Sequence, residues 1–311
     1  MILLCGIPSE TPLAMVAQQL TELGAPFVMF NQRRFSEYRL EYNIVAGKVN
    51  GWMELTGKRY ELSSFTAAYA RLMDDRLLPE LSDEPEGSPS RLGCRELHDT
   101  LTRWLEITPA RVVSRYGSMG SNGSKPYQAQ LITAHGFRTP ETLVTNDPEA
   151  VRTFRRHHGR IIYKSVSGLR SIVTEFSEED DSRLEAIRSC PTQFQALIEG
   201  IDVRLHVVGD EVFATAIESH GTDYRYASGN GDETRLSPIQ APDDVERRAV
   251  ALAADLGLPV AGIDLMIDED GDVYCLEVNP SPAFSYYEQH TGQPIALAIA
   301  RYLSGGNGTQ A

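Results

Sequence analysis

The feature that most constrains the fold is a pair of alternating apolar segments, residues 262–268 and 272–278, which flank Asp270 and Gly271. An Asp-Gly pair between two such segments is typical of a tight β-hairpin. The pattern predicts an antiparallel ribbon with a two-residue turn and one apolar face that packs on a core. In that register Ile263, Leu265 and Ile267 face Val278, Leu276 and Tyr274.

The same register places two acidic residues opposite each other on the other face of the ribbon. Asp264 faces Glu277, and Asn279 follows two residues later on the same side. Facing carboxylates repel unless a cation compensates them, and two carboxylates with an amide oxygen suit Mg²⁺ that also binds phosphate. The alternative is an acidic pair in solvent. The apolar neighbours Met266 and Cys275 favour a buried face and therefore a metal site.

Length and charge limit the classes of protein that this sequence can represent. A chain of 311 residues exceeds the usual size of one core, so two or three packed units are expected. The net charge of -14 disfavours a nucleic-acid partner, because it repels phosphate backbones. Neither a signal peptide nor a membrane span is expected, since no sufficiently long apolar run occurs. Four scattered cysteines indicate reduced thiols and a cytoplasmic protein.

Periodicity and turn signals divide the chain into a βαβ-like beginning and a later series of alternating strands and helices. The beginning lacks GxGxxG, so no dinucleotide site is expected there. A hairpin with its turn at Asn50 and Gly51 follows, and residues 117–124 are interpreted as a loop. Strands are predicted at 2–5, 27–30, 43–49, 52–55, 67–71, 112–114, 142–144, 160–164, 172–175, 194–199, 203–208 and 212–217; helices are predicted at 13–23, 90–107, 125–135, 148–156, 182–189, 242–256 and 295–303.

Two lysines are candidates for binding phosphate. Lys164 ends a strand and precedes the Ser-rich segment 165–171, whose hydroxyl and backbone N–H groups can cover phosphate oxygens. Lys125 begins a helix, where the helix dipole also attracts anions. For Lys164, a surface lysine at a strand end is the alternative. Residues 117–125 do not form a P-loop, because a serine precedes the lysine where the motif requires a serine or threonine after it.

Arginines supply the remaining candidates. Asp202, Arg204 and His206 alternate along one predicted strand and share a face, and Arg225 lies in a polar segment after the next strand. Guanidinium groups suit phosphate and carboxylate ligands, and structural ion pairs are the alternative. His206 is expected to pack or form hydrogen bonds rather than to act in catalysis.

From Lys125 onward these segments resemble, in order, the ATP-grasp superfamily and in particular its RimK-like branch of carboxylate–amine ligases. The matching segments are 124–143, 160–173, 194–217, 261–282 and 281–303. The resemblance implies an α/β (α+β ATP-grasp) fold with an N-terminal Rossmann-like pre-ATP-grasp domain and two α+β subdomains that sandwich ATP. The expected boundaries are 1–112 for the substrate domain, 113–196 for the central subdomain and 197–311 for the subdomain with the metal site.

The resemblance also implies roles for individual residues. Residues around the nucleotide and the metal would be Lys125 and Lys164 on the phosphates, Ser165, Ser167, Gly168 and Ser171 in the covering loop, Gln195, Leu197 and Ile198 at adenine, Asp202 at the ribose, Arg204 and Arg225 at the transferring phosphate, and Asp264, Glu277 and Asn279 on Mg²⁺. Two Mg²⁺ ions are expected, with Mn²⁺ as a substitute.

The implied reaction is formation of an amide from a carboxylate and an amine through an acyl phosphate, with release of ADP and phosphate. The substrate would be an amino acid or a peptide, and the enzyme could form a homo-oligomer. The N-terminal part faintly resembles the leading domain of peptide-modifying ligases of the microviridin type. A small-molecule kinase on the same scaffold and a non-catalytic nucleotide-binding protein are the alternatives.

Overall fold

The computed structural model of the protein describes residues 1–113, 115–165, 173–218 and 235–305, and all structural statements refer to these. Their strands form four sheets. None of their helices combines the length and the apolar character that crossing a membrane requires.

The N-terminal unit is built on a parallel sheet with strand order β2-β1-β6-β7. Leu13, Val16 and Leu20 of helix α1 cover one face of this sheet, and Leu101 and Trp104 of α2 cover the other. The elements are β1 (Ile2–Gly6), α1 (Thr11–Glu22), β2 (Phe27–Asn31), β3 (Arg39–Val45), β4 (Lys48–Leu55), β5 (Lys58–Glu61), β6 (Ala67–Arg71), α2 (Pro89–Ile107) and β7 (Arg111–Val113). All four strands are parallel. Because β1 leads to β2 on one side and β6 leads to β7 on the other, the order in which strands are added reverses between β1 and β6.

Strands β3, β4 and β5 form a separate antiparallel sheet, and its first turn is not where the sequence predicts it. The turn lies at Ala46 and Gly47, which have positive φ angles of 49° and 77°. The predicted turn at Asn50 and Gly51 is wrong, because both residues lie inside β4. Gly51 instead permits a close approach of strands: a Cβ there would lie 2.1 Å from the carbonyl oxygen of Glu41.

The central unit contains an antiparallel sheet with the order β10-β9-β11-β8. Its core is small and includes Val151, Ile161 and Phe194. The elements are α3 (Tyr116–Met119), α4 (Lys125–Ala134), β8 (Thr142–Thr145), α5 (Pro148–His158), β9 (Ile161–Ser165), β10 (Thr174–Glu175), α6 (Glu178–Asp181) and β11 (Thr192–Ala196).

Three sequence predictions in this unit need correction. Residues 117–124, predicted as a loop, are mostly helical. The helix predicted at 182–189 is a 3-10 helix, Leu184–Ser189. It is preceded by the short helix α6, which begins at a capping box formed by Ser177 and Asp180. The strand predicted at 194–199 is Thr192–Ala196, and the next two residues, Leu197 and Ile198, border the candidate site.

The C-terminal unit is a five-stranded antiparallel sheet with the order β14-β13-β12-β15-β16. Helices α4 and α7 cover one face with residues such as Ile132 and Leu252. Helix α9 packs between the other face and α1 of the N-terminal unit, so these two units share one apolar core. The elements are β12 (Ile201–Val208), β13 (Glu211–Glu218), β14 (Arg235–Ile239), α7 (Asp243–Asp255), β15 (Val260–Ile267), β16 (Val273–Asn279), α8 (Ser285–Thr291) and α9 (Ile295–Ser304).

The β15–β16 ribbon exists as predicted, but its turn and half of its register differ. Ile267 pairs with Val273, so the connection is five residues long rather than two; the Asp268 carboxylate accepts the N–H groups of Asp270 and Asp272 and favours this longer loop. A bulge at Leu276 then shifts the pairing by one residue. The predicted pairs Leu265–Leu276 and Ile267–Tyr274 are therefore wrong, whereas the pairs Ile263–Val278 and Asp264–Glu277 are confirmed.

Candidate active site

A cleft between the central and C-terminal sheets brings together most of the described residues predicted for nucleotide and metal. Its cavity of about 140 Å³ is lined by Pro140, Ile162, Lys164, Val173, Gln195, Ala196, Leu197, Ile198, Asp202, Asp264, Met266, Leu276 and Glu277. An adjoining cavity of about 230 Å³ shares Lys164 and Gln195 and adds Lys125. A larger cavity, about 520 Å³, lies apart from these groups beside α2, where ion pairs such as Arg95–Asp75 border it.

The acidic face of the ribbon lies in this cleft. The bulge turns Leu276 into the cavity beside Met266, while Cys275 pairs with Leu265 and is buried in the core. Cys275 therefore does not share the face of Asp264, contrary to the sequence interpretation. Burial raises the pKa of the Cys275 thiol, and the nearby negative charge of Asp264 adds to the effect. The result is an apolar floor formed by Met266 and Leu276 next to the carboxylate pair, an arrangement that suits a flat base beside a charged phosphate tail.

Arg204 compensates part of the charge of this pair. It faces Asp264 in the β12–β15 ladder, is only 5% exposed, and donates from Nη1 to the Asp264 carboxylate. Arg204 thus supplies one positive charge next to two carboxylates. A net negative charge with oxygen donors is left, which is the donor set that a divalent cation such as Mg²⁺ prefers. The residues present therefore fit the predicted metal.

Gly262 makes room for Arg204, and the sequence analysis did not identify this role. A Cβ at Gly262 would lie 2.0 Å from Nη2 of Arg204. The guanidinium carbon also lies 5.7 Å from the centre of the Tyr287 ring of α8. Gly262 precedes the Ile-Asp-Leu segment, and a glycine within an otherwise continuous strand is the available signal for a close approach of another group.

Asn279 ends β16 and begins a tight loop. Because Asn279 pairs with Gly262 and Glu277 pairs with Asp264, both residues lie on the same face of the ribbon. The side-chain oxygen of Asn279 accepts the N–H group of Ser281 at 3.0 Å, which fixes the amide. Asn279, the third predicted metal ligand, therefore lies on the same face of the ribbon as Asp264 and Glu277.

Buried Gln128 of α4 holds the strand that carries these ligands. Its amide donates to the carbonyl oxygen of Val278 at 2.8 Å, and its oxygen accepts the N–H group of Val278 at 2.9 Å. This pair of hydrogen bonds joins positions 150 residues apart in sequence. Sequence reasoning missed Gln128, because a glutamine on a helix gives no signal of a distant partner.

The two lysines border the cleft from the central side. Lys164 lies on β9 opposite Gln193 of β11, is 8% exposed and lines both cavities. Lys125 is the first residue of α4 and lines the second cavity. The predictions for Ser167, Gly168, Ser171 and Arg225, and for the side chain of Ser165, lie outside the described residues.

The hinge after β11 is held by its backbone. The N–H group of Ala196 donates to the carbonyl oxygen of Glu141 at 3.0 Å, and that of Leu197 donates to Arg160 at 3.1 Å. A backbone contact of Leu197 with a base would therefore use its carbonyl oxygen. Gln195 donates its amide to the hydroxyl of Thr142 at 2.8 Å, which orients its side chain along the cleft wall.

His206 lies near the site but is fully buried. Its ring packs against that of Tyr287, with 4.7 Å between the ring centres. Burial, with a further contribution from the charge of Arg204, lowers the pKa of His206 well below its ordinary value. The imidazole is therefore neutral and forms part of the packing beneath Arg204.

Comparison with known proteins identifies the scaffold. Residues 123–303 match the RimK-like ATP-grasp domain. The chain is 28% identical over 229 residues to a protein named probable alpha-L-glutamate ligase from Cellvibrio japonicus (strain Ueda107), covering 68% of this chain and 74% of that protein.

Solved structures extend the similarity over almost the whole chain. The macrocyclase MdnC bound with precursor peptide MdnA from Microcystis aeruginosa MRC has a TM-score of 0.79 at 22% identity and covers 99% of this chain and 100% of its own. The ATP-grasp ligase PsnB, complexed with a variant of its minimal precursor, Mg and ADP, has a TM-score of 0.78 at 26% identity and covers 97% of both chains.

The fold and the site thus define an ATP-grasp enzyme, as the sequence predicts. The chain belongs to the RimK-like ATP-grasp family. It is an ATP-dependent ligase that joins a carboxylate to an amine.

Proposed function

We propose that this ligase acts on a peptide and forms an amide bond from a side-chain carboxylate of that peptide. The observation that carries the proposal is the extent of the match to PsnB, which was solved with its precursor and is similar over 97% of both chains at 26% identity. The glutamate ligase relative, by contrast, covers 68% of this chain. Strands β3, β4 and β5 lie before residues 123–303, which match the RimK-like ATP-grasp domain. We propose that this N-terminal part binds the peptide.

In the proposed reaction the peptide carboxylate attacks the γ-phosphorus of ATP, and the bond from that phosphorus to the ADP oxygen breaks. The resulting acyl phosphate is attacked by an amine at its carbonyl carbon. The carbon–oxygen bond to phosphate then breaks, phosphate leaves, and the amine nitrogen loses a proton to solvent. Such transfers need alignment and charge neutralisation more than covalent help from the protein.

The roles of the site residues follow from their positions in the cleft. Lys125 and Lys164 hold the phosphates, and Arg204 stabilises charge on the transferring phosphoryl group. When bound, Mg²⁺ neutralises phosphate charge, and Asp264, Glu277 and Asn279 are the residues that would hold it. We propose two Mg²⁺ ions, for which Mn²⁺ substitutes.

The nucleoside part of ATP has its own proposed contacts. Leu197 and Ile198 contact adenine beside Gln195, and Asp202 binds the ribose. Leu276 and Met266 form the apolar floor of this pocket. Residues outside the described part complete the proposal: Ser165, Ser167, Gly168 and Ser171 cover the phosphates, and Arg225 supplies a second guanidinium.

The proposed division of labour follows the boundaries expected from sequence, with 1–112 for substrate, 113–196 for the central ATP-grasp subdomain and 197–311 for the subdomain with the metal site. Buried thiols such as Cys5, Cys94 and Cys275 agree with a reducing compartment, and we propose a cytoplasmic location.

The test supplies the purified enzyme with MgATP and either acidic peptides or free amino acids, and follows ADP release together with product mass. Loss of one water per bond formed within a peptide supports the proposal. Addition of glutamate residues indicates an alpha-L-glutamate ligase instead, and a stable phosphorylated product indicates a kinase. Nucleotide binding without turnover on any acid and amine would contradict the proposed reaction.

A further inference from the structure

One side chain connects the N-terminal sheet with the loop that follows the metal-binding strand. Arg71 ends β6, and its side chain is only 11% exposed. Its Nε donates to both carboxylate oxygens of Glu10, at 2.7 and 2.9 Å. Its Nη1 donates to the hydroxyl of Ser281 at 3.1 Å and to the carbonyl oxygen of Pro282 at 3.2 Å. A single guanidinium thus joins parts of the chain that lie about 210 residues apart.

The position of Arg71 in the sheet is also defined. It stands at the carboxyl end of β6, beside the carboxyl end of the parallel strand β1, where the strand order of the sheet reverses. Ligands of open α/β sheets bind outside such a point. Gly6 ends β1 and pairs with Arg71, and a Cβ at Gly6 would lie 2.6 Å from the carbonyl oxygen of Arg71. The backbones of Gly6 and Arg71 are therefore closely packed, which restricts the backbone from which the Arg71 side chain extends.

Glu10 anchors the guanidinium from the other side. It is the N-cap of α1, and its carboxylate accepts the N–H group of Leu13 at 3.2 Å. The single N–H of Arg71 Nε is shared between the two Glu10 oxygens, and this charge-assisted contact turns the Nε edge of the guanidinium toward Glu10. Nη1, at the other end of the guanidinium, donates to Ser281 and Pro282.

The loop carries this restraint to the predicted metal ligand. Ser281 accepts from Arg71 through its hydroxyl and donates from its backbone N–H to the side-chain oxygen of Asn279 at 3.0 Å. The contacts form a chain in the order Glu10, Arg71, Ser281, Asn279. Movement of the Ser281 backbone would rotate the Asn279 amide, whose oxygen is the proposed metal donor.

We propose that Arg71 is a positioning residue that sets the geometry of the metal-binding loop from the N-terminal sheet. The proposal rests on the metal site of the proposed function and adds a residue from a unit that the ATP-grasp match does not cover. Arg71 acts through Ser281 and Asn279 and binds no nucleotide itself. Outer groups that orient a metal ligand typically change metal affinity by about 10–100-fold when removed.

The experiment compares Arg71→Met, Arg71→Lys, Ser281→Ala and the double variant Arg71→Met/Ser281→Ala with the wild-type enzyme. Mn²⁺ binding in the presence of ADP is followed by electron paramagnetic resonance of free Mn²⁺, which needs no peptide substrate. Arg71→Met should weaken Mn²⁺ binding at least about 10-fold, and Ser281→Ala should weaken it in the same direction. Mn²⁺ binding by the double variant should be at most about twofold weaker than Mn²⁺ binding by Arg71→Met, because both substitutions break the same chain of contacts.

Arg76→Met is the matched control. Arg76 lies five residues further along, is 70% exposed and pairs with Asp74, so its loss should leave Mn²⁺ binding unchanged. Arg71→Lys should retain part of the Mn²⁺ affinity. A lysine ammonium can contact either Glu10 or the loop at Ser281, but it cannot contact both at once. Thermal unfolding of each apo variant separates a general loss of stability from a change at the loop.

Two results would overturn the proposal. One is wild-type Mn²⁺ affinity in Arg71→Met; the other is additive losses in the double variant, which would show that the two residues act separately. Absence of peptide ligation by the wild-type enzyme would contradict the proposed function and leave the Mn²⁺ comparison valid, so the two failures are distinguishable.

Discussion

The guanidinium of Arg204 occupies the space that a side chain at Gly262 would need, since a Cβ there would lie 2.0 Å from Nη2. The absence of a side chain at Gly262 thus leaves room for the guanidinium that donates to Asp264. Gly262→Ala should therefore displace the guanidinium while leaving the strand in place. We expect kcat/KM for ADP release to fall about 10²-fold, the effect typical of losing one preorganised charge-stabilising donor.

Gly93→Ala is the matched control for that substitution. Gly93 lies in the interior of α2, and a Cβ there meets no atom within 4 Å. Activity should be unchanged, and the free energy of unfolding should rise by about 0.5–1 kcal/mol because alanine favours a helix over glycine. Full activity in Gly262→Ala would show that the position of Arg204 is not required for the reaction.

Glu277→Gln should abolish ADP release. The substitution keeps the size of the side chain but removes one of the two negative charges that face each other in the ladder, and with it one of the two carboxylates proposed to bind Mg²⁺. Glu269→Gln, in the exposed turn of the same ribbon, should behave like the wild-type enzyme. Activity is measured by coupled detection of ADP over a range of Mg²⁺ concentrations, and an unchanged Mg²⁺ dependence in Glu277→Gln would remove Glu277 from the metal site.

Lys164→Met should weaken ATP binding and slow turnover. Lys164 is buried on β9 and lines both cavities of the cleft, while Lys125 lines the second of them. Loss of one charge-assisted phosphate contact should lower kcat/KM for ATP about 10²-fold. Lys48→Met, in the exposed β3–β4 turn region, is the control. An ATP titration in which both variants match the wild-type enzyme would contradict the assignment.

The ribbon shows how far sequence periodicity can predict this site. The Asp264–Glu277 pair is correct although the turn was predicted as two residues, because the five-residue connection and the bulge at Leu276 displace the register in opposite directions. Alternation along a strand indicates which residues face each other, but it contains no information on a bulge. Cys275 was consequently placed on the wrong face, and the apolar floor formed by Leu276 was not foreseen.

A local turn signal failed at Asn50 and Gly51 for a related reason. Glycine serves both to turn a chain and to admit a neighbouring backbone, and the sequence cannot distinguish the two uses. Contacts between distant residues are harder still. The hydrogen bonds of Gln128 with Val278 and of Arg71 with Ser281 depend on tertiary packing, so no spacing rule could have predicted them.

His206 provides a prediction for the dependence of stability on pH. Burial lowers its pKa in the folded protein well below 6.5, whereas the unfolded chain takes up a proton near that value. Below pH 6.5 the unfolded state thus binds more protons than the folded state, so this residue reduces the free energy of unfolding by up to about 1.4 kcal/mol for each unit that the pH decreases. Its stabilising contribution is complete above pH 6.5 and is lost in acid.

His206→Phe should remove that part of the acid sensitivity. Phenylalanine retains an aromatic ring against Tyr287 and cannot be protonated, and neither ring nitrogen of His206 has a hydrogen-bond partner among the described residues. Urea unfolding between pH 5 and 7.5 should give a flatter dependence of the unfolding free energy on pH for His206→Phe than for the wild-type protein. Parallel profiles for His206→Phe and the wild type would mean that His206 becomes protonated in the folded state. A positive charge would then lie directly beneath Arg204, which would contradict the neutral imidazole described for His206.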